Sequence, residues 1–441
     1  MDERFDVVVV GSGLAGLAAG ATAAGAGGST LVLDGHPAGG RASTDERGAY
    51  KFNRGPHALY RGGEAQAVLA RLGVSTPGAV PPGAGARGRI GDKVDVLPAK
   101  LGTLLRSSLL SWKGKLALVR FLSGVKKWRP ADLAGLTVGQ WLDGHRLPAD
   151  ARKIVLFLVR TTTYANDETT LSADVAAGQI QMALTNNVLY LDNGWGSMVE
   201  SLATVARRNG AEIRTGAGVT SIARPAADAD VTVSLSNGQQ IRAGAVVVAA
   251  GTPSAAAALL GGERPAAWAE LGPEVEASVL DIGLRKALDP PILFGIDPPM
   301  YLVDHARSAK GLAPADGGLV HVLHYLPLGD KTPASELRAG LEEHARVAGI
   351  ESSMIAEQRF LLRMTVIGAV PTPAAGGLTG RPAIDSTGVP GVFVAGDWVG
   401  PRGWLADASL SSGEAAGSAA ARDCARRADG VRSLRSRQDV A

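Results

Sequence analysis

Gly11-Ser12-Gly13-Leu14-Ala15-Gly16 follows directly on a buried-looking apolar run, Phe5 to Val10, and that junction constrains the chain more than any other feature. Glycine fills 58 of 441 positions, against a usual share of about 7%, so a glycine triplet alone would say little. Its flanks carry the information. Phe5-Asp-Val-Val-Val-Val10 reads as a parallel strand buried on both faces. Leu14 to Ala24 is apolar and alanine-rich, which suits a helix packed on a sheet. Thr30-Leu-Val-Leu33 reads as a second strand with Asp34 at its tip. Strand, glycine turn, helix and a second strand ending in an acid make the βαβ unit that binds dinucleotides. Gly11 permits the tight turn, Gly13 lets the backbone approach a pyrophosphate, and Gly16 lets the helix lie close to the strand. The helix start offers free N–H groups and a positive dipole end to phosphate. Asp34 can accept hydrogen bonds from a ribose diol.

Further motifs follow in a fixed order. Gly39-Gly40-Arg41 comes a few residues after Asp34, and Gly55-Pro56-His57 after that. An arginine so placed can reach back to a pyrophosphate with a bidentate fork, while the glycines keep the loop thin. Nicotinamide enzymes seldom have this element. The middle of the chain holds Leu191-Asp-Asn-Gly194-Trp195-Gly196-Ser-Met198, then Gly216-Ala-Gly-Val219, then Val246-Val-Val-Ala-Ala-Gly251. Near the end stand Gly391-Val-Phe-Val-Ala-Gly396-Asp397-Trp398 and Gly403-Trp404-Leu405-Ala406-Asp407, the latter opening a helix.

Together these motifs resemble the flavoprotein superfamily of phytoene desaturases, amine oxidases and protoporphyrinogen oxidases. The resemblance implies an α/β fold: a Rossmann-like FAD-binding domain of the glutathione-reductase type, interleaved with an α+β substrate domain. It also implies bound FAD. Gly11, Ser12, Gly13, Leu14, Ala15 and Gly16 would form the pyrophosphate turn, with Asp34 and Gly35 at the ribose. Gly40, Arg41 and Ala42 would wrap the cofactor, and Gly55, Pro56 and His57 would lie near the flavin ring. Val219 would touch the adenine, and Gly251 would sit in the turn closing the domain. Gly396 and Asp397 would hold the ribityl chain or pyrophosphate. Leu405 and Ala406, at the last helix start, would face the flavin N1/O2 edge, where negative charge collects on reduction. Asp34 departs from the glutamate more often seen there, but the shorter carboxylate still reaches a ribose.

Composition narrows the rest. A chain of 441 residues, 46% hydrophobic, can bury more than one core. A net charge of +3 gives no support to nucleic-acid binding. No signal peptide is expected, since the first strand begins at once after an acidic start. No run of about 20 apolar residues is free of charge; Leu101 to Leu122 comes nearest and contains Arg106, Lys113, Lys115 and Arg120. The lone Cys424 excludes an intrachain disulfide and fits a reducing cytoplasm. It falls near the end of the last helix, so FAD is expected to be non-covalent.

The expected organisation assigns residues 1–95, 190–260 and 370–425 to the FAD-binding domain, and 96–189 and 263–369 to the substrate domain. Val231 to Leu235 and Ile241 to Ala243 flank Asn237-Gly238, a hairpin signal. Segment 96–189 reads as helical, Val80 to Gly91 as a loop, and 426–441, rich in arginine, as a disordered tail.

His321 and His324 sit three apart in a strand-like run, on opposite faces, so no metal pair is expected there. Trp195, Tyr164, Tyr190, Tyr325 and Trp404 fall in segments expected to line the substrate cavity, where each also suits an ordinary core position. No catalytic residue is assigned; His57 and Trp404 are the candidates. Residues 100–129 mix basic with apolar side chains, which suits either a solvated helix face or a peripheral contact with an anionic membrane. The expected activity is FAD-dependent removal of hydride from an apolar, polyene or lipid-like substrate, as in phytoene desaturases, with oxygen or a quinone as electron acceptor. A flavin amine oxidase and a redox-neutral isomerase are the alternatives.

Overall fold

The computed structural model describes residues 3–83, 85–224, 226 and 229–438, with side chains through residue 427. Two seven-stranded sheets organise these residues. The first runs in the order Ala211–Arg214, Thr30–Leu33, Glu3–Val10, Gln240–Val248, Val231–Leu235, Val219–Ala223, and Val392–Val394 also pairs with Gln240–Val248. Its centre is parallel: Val10 lies beside Leu33 on one side and Val248 on the other. Such strands are covered on both faces, which explains why Val7, Val8 and Val9 are fully buried without alternation. The expected hairpin forms at Asn237-Gly238, and Gly238 takes a positive φ of 84°.

One face of this sheet is covered by the helices Leu14–Gly25 and Ala406–Gln438. Gly413 and Gly417 lie against the backbone of Ala15 and Ala19, where any Cβ would strike a carbonyl oxygen. Small residues thus let the first and last helices meet closely and tie the two ends of the chain together.

The second sheet runs Ile355–Ile367, Val275–Leu284, Gly318–Tyr325, Met300–Asp304, Ile292–Asp297, Arg87–Ile90, Lys93–Val96. Leu280, Ile282, Val320 and Val322 pack on the helix Ala334–Val347. The opposite face presents Val279, Tyr301 and Leu323 to Tyr50, Phe52 and Tyr190. Helices Trp112–Ser123, Val138–His145, Ala149–Thr163 and Ala173–Asn186 close over that end, as the apolar spacing of 96–189 leads one to expect.

Two expectations need correction. Residues 87–96, placed with the first set of segments and partly read as a loop, form a hairpin that joins the second sheet beside Ile292–Asp297. Gly88 permits this, since a Cβ there would meet the side chains of Ile296 and Leu109. The arginine-rich stretch read as a disordered tail continues the last helix to Gln438. Alanine and arginine are strong helix formers, and Arg427 pairs with Asp423 one turn back at 2.8 Å. The final residues, 439–441, lie outside the described ones.

Candidate functional site

The parallel strands of the first sheet end together. Val10, Leu33, Val248 and Val394 are in register, so Gly11, Asp34, Gly251 and the Gly396-Asp397 turn gather at one edge, outside the carboxyl ends of the strands. This is where open α/β sheets bind ligands. Gly11 has φ of 103°, and its Cβ would collide with the Ala249 carbonyl oxygen; a Cβ on Gly16 would collide with that of Gly11. Gly13 is different: a Cβ there would meet nothing closer than 3.9 Å. A side chain at Gly13 would thus meet no clash within the protein itself, only ordinary contact, and Gly40 packs beside it, a Cβ there standing 3.7 Å from the Gly13 Cα. Gly13 begins the helix Leu14–Gly25 without any side-chain cap, which leaves the first N–H groups for a ligand.

Asp34 organises the turn. Its Oδ2 accepts from both the backbone N–H and the hydroxyl of buried Ser12 at 2.7 Å, and its Oδ1 accepts from the His36 N–H at 2.9 Å. Gly35 lies against Gly218, which brings Val219 to the same edge. Ala42 is buried in the core beside Leu14, while Gly251, at φ 87°, is open.

Arg41 does not point freely at this space. Its guanidinium grips Asp397 with two bonds, Nη1 to Oδ2 at 3.0 Å and Nη2 to Oδ1 at 2.7 Å. The carboxylate also accepts from the Gly368 N–H at 2.9 Å. Asp397 is 3% exposed and Arg41 39%, so the arginine covers the acid and still shows one side to the cleft.

At the other wall, the end of the helix Ala149–Thr163 acts as a hub. The Thr162 carbonyl accepts from the Tyr60 hydroxyl at 2.8 Å, and the Thr163 carbonyl from the Trp404 indole N–H at 3.1 Å. Tyr164, at a positive φ of 65°, donates from its hydroxyl to the Pro56 carbonyl at 2.9 Å. These helix-end carbonyls need donors, and the donors come from the segments bearing the two candidate catalytic residues. Trp404 is buried with its N–H engaged, so it braces the last helix. His57 bonds through Nδ1 to the Gly55 carbonyl at 3.0 Å, and its ring lies 4.7 Å from that of Trp195. The residue is half-buried, and the surrounding protein disfavours the imidazolium and lowers its pKa to about 4.

Leu405 also takes a left-handed φ of 53°, a strained value for leucine, just before Ala406 starts the last helix. Asp407 in that first turn accepts from the Ala65 N–H at 2.8 Å through Oδ1, while its buried Oδ2 has no partner. Burial raises this carboxyl to about 6.

One cluster escaped the sequence reading. Arg359 donates from Nε to Asp281 at 2.9 Å, from Nη1 to Asp45 at 2.5 Å, and from Nη2 to the Asn53 carbonyl. Asp281 also holds the Nδ1 of His321 at 2.5 Å. His321 meets the His305 ring edge-on at 4.7 Å, and His305 bonds the Tyr301 hydroxyl at 2.9 Å. The cluster fixes the strand that leads into Gly55-Pro56-His57. A signal was present: Asp281 interrupts an apolar strand, and a buried charge requires a partner. His321 and His324 do lie on opposite faces, opposite Asp281 and Ser278 respectively. Tyr190 bonds Tyr301 at 2.9 Å, and Tyr325 packs with it in the same apolar cluster.

Comparison with known proteins gives this arrangement a context. A family described as flavin containing amine oxidoreductase matches residues 14–419. An oxidoreductase from Methanosarcina mazei superposes with a TM-score of 0.71 at 17% identity, covering 93% of this chain and 98% of that one. A variant of putrescine oxidase superposes at 0.72 with 16% identity, covering 96% and 99%. A candidate protoporphyrinogen oxidase from Exiguobacterium sp. 255-15 superposes at 0.70 with 17% identity, over the same shares, 96% and 99%. At these identities the structures speak to the fold alone. No curated protein sequence matches the chain.

Proposed function

The chain belongs to the flavin-containing amine oxidoreductase family, and from that premise we propose that it binds FAD non-covalently and oxidises an apolar, polyene or lipid-like substrate, as phytoene desaturases do. The first sheet and its helices would be the FAD-binding domain; the second sheet and the helices of 96–189 would be the substrate domain. Gly13, where the protein's own atoms do not require a glycine, suits the close approach of a pyrophosphate to the bare backbone. Arg41 at its edge suits the cofactor's negative charge. Bound FAD would supply the hydride acceptor, and oxygen or a quinone would take the electrons onward. Cys424 argues for non-covalent binding. It donates to the Asp6 carbonyl at 2.9 Å, at the amino ends of the strands and thus across the sheet from the nucleotide edge. Burial also raises its thiol to about 11.

The substrate class rests on one observation: the wall facing the Gly55-Pro56-His57 turn is aromatic, and its buried acids are already engaged. Tyr164, Tyr190, Tyr301, Tyr325 and Phe294 pack there. Asp281 is neutralised by Arg359 and hydrogen-bonded to His321, Asp397 is neutralised by Arg41, and Asp304 accepts three backbone N–H groups. A wall of this kind excludes water and offers a cation little beyond ring faces. The protein's part is to hold the turn, through Arg359 at Asn53 and Tyr164 at Pro56, and to keep His57 neutral. Membership of a family described as amine oxidoreductases keeps an amine oxidase as the second reading.

The test is anaerobic bleaching of the bound flavin by a panel of polyenes, amines and reduced porphyrins. Bleaching by a polyene or lipid supports the first reading, and bleaching by amines alone replaces it with the second. Conversion of a polyene without bleaching would indicate redox-neutral isomerisation.

A further inference from the structure

We propose that the outward faces of the helices Leu101–Arg106 and Trp112–Ser123 form a docking surface for an anionic lipid bilayer. Among the described residues, five of the ten exposed large hydrophobic side chains fall within these two short helices. Leu101 is 71% exposed, Leu105 51%, Trp112 73%, Leu116 73% and Val119 45%. The spacing is helical: Leu101 and Leu105 are four apart, and Trp112, Leu116 and Val119 follow at four and three, so each set shares one face. These are not core faces. Leu104, Leu118 and Phe121 point inward and are buried. A surface helix normally turns polar residues outward, and exposed apolar patches of this kind mark interaction sites.

Charge identifies the occupant. Residues 100–129 contain eight basic residues and no acid, in a chain whose net charge is only +3. Lys100, Arg106, Lys113, Arg120, Lys126 and Lys127 are exposed around the apolar stripe. The acids that approach from neighbouring elements are tied to backbone: Asp95 accepts from the Ser108 N–H at 2.7 Å, and Asp150 from the Ser111 N–H at 2.6 Å. Beyond the stretch, Asp132 pairs with Arg129 at 3.3 Å. Lys115 turns inward, donating to the Leu105 carbonyl at 2.8 Å with its ammonium 4.8 Å from the Trp112 ring, and so stitches the two helices into one plate. An outward tryptophan and leucines ringed by lysine and arginine are the chemistry of a plate lying in the headgroup region. No described helix is long and apolar enough to cross a membrane, so contact would be from one side.

The location gives docking a purpose. The inward leucines of the plate belong to the same apolar cluster as Trp404, with Tyr164 and Phe294 packed against it. A bilayer beneath the plate would place dissolved apolar substrate against the cover of the aromatic wall. That purpose rests on the apolar-substrate reading; docking itself does not.

The holoprotein should co-sediment with vesicles of phosphatidylcholine containing phosphatidylglycerol, less with phosphatidylcholine alone, and less again in high salt. Trp112→Ser with Leu116→Ser, or Lys113→Glu with Arg120→Glu, should each weaken binding at least about tenfold while leaving the melting temperature and flavin content unchanged. Absence of vesicle binding, or binding indifferent to both variants, overturns the proposal. Self-association relieved by Trp112→Ser also overturns it, in favour of a second copy of the chain. Vesicle binding without bleaching by any polyene would leave docking standing and sink the reaction instead.

Discussion

At the scale of single residues, the Arg41–Asp397 pair is the sharpest case of a side chain doing two jobs. The sequence points to an arginine at the pyrophosphate; the structure has it neutralising a buried carboxylate and facing the cleft with what remains. Removing the arginine strands the acid in the interior, which costs more than a surface pair would suggest. Arg41→Ala is therefore expected to lose about 2 kcal/mol of stability, below the full cost of a wholly buried pair because Arg41 itself is partly solvated. Asp397→Asn in the same chain should restore part of that loss without restoring flavin affinity. Urea unfolding of the four proteins of the cycle measures the coupling; additive losses would show that the two groups are independent.

At the scale of elements, the first βα turn separates glycines that serve the fold from those that serve a ligand. Gly16 and Gly11 are required by backbone contact, whereas a Cβ at Gly13 would meet no clash, at an ordinary φ of −71°. Gly13→Val should fold and melt near the wild-type temperature but carry no flavin. Gly16→Val should fail to fold, because its Cβ would displace the Gly11 carbonyl on which the turn is built. Circular dichroism and flavin absorbance distinguish the two. A Gly13→Val protein with full flavin would remove this turn from the cofactor site.

At the scale of the molecule, stability should be sensitive to acid through its histidines. His57 and His344 are held down at about 4, and His305 and His324 are also lowered, in each case chiefly by burial. Each is neutral in the fold but takes a proton near pH 6.5 once unfolded. Their neutral form suits the fold above that pH, and stability is lost as pH falls from about 6.5 toward 4. For His344, fully buried against the Leu293 carbonyl at 3.1 Å, the loss between pH 7 and pH 5 is about 2 kcal/mol. His344→Gln should flatten the pH dependence of the urea midpoint by about that amount over this window. An unchanged slope would show that His344 is protonated in the fold.

The first sheet and its glycine turn were legible because their signals are local. Phe5 to Val10, the turn glycines and Asp34 lie within thirty residues, and the hydrophobic pattern, a steric need for glycine and a strand-end acid each act over a few bonds. The helical cover of 96–189 followed from the same kind of local periodicity. Local signals could not reveal partners from 40 to 306 residues apart. Asp281, His321, Arg359 and Asn53 come together only when the second sheet forms over the strand before Gly55. The hairpin 87–96 looked like a loop because part of its pairing comes from Ile292–Asp297, far along the chain. The exposure of Trp112 and Leu116 was equally hidden. A sequence shows that a helix has apolar residues on two sides, but only packing decides which side the core takes and which is left to the surroundings.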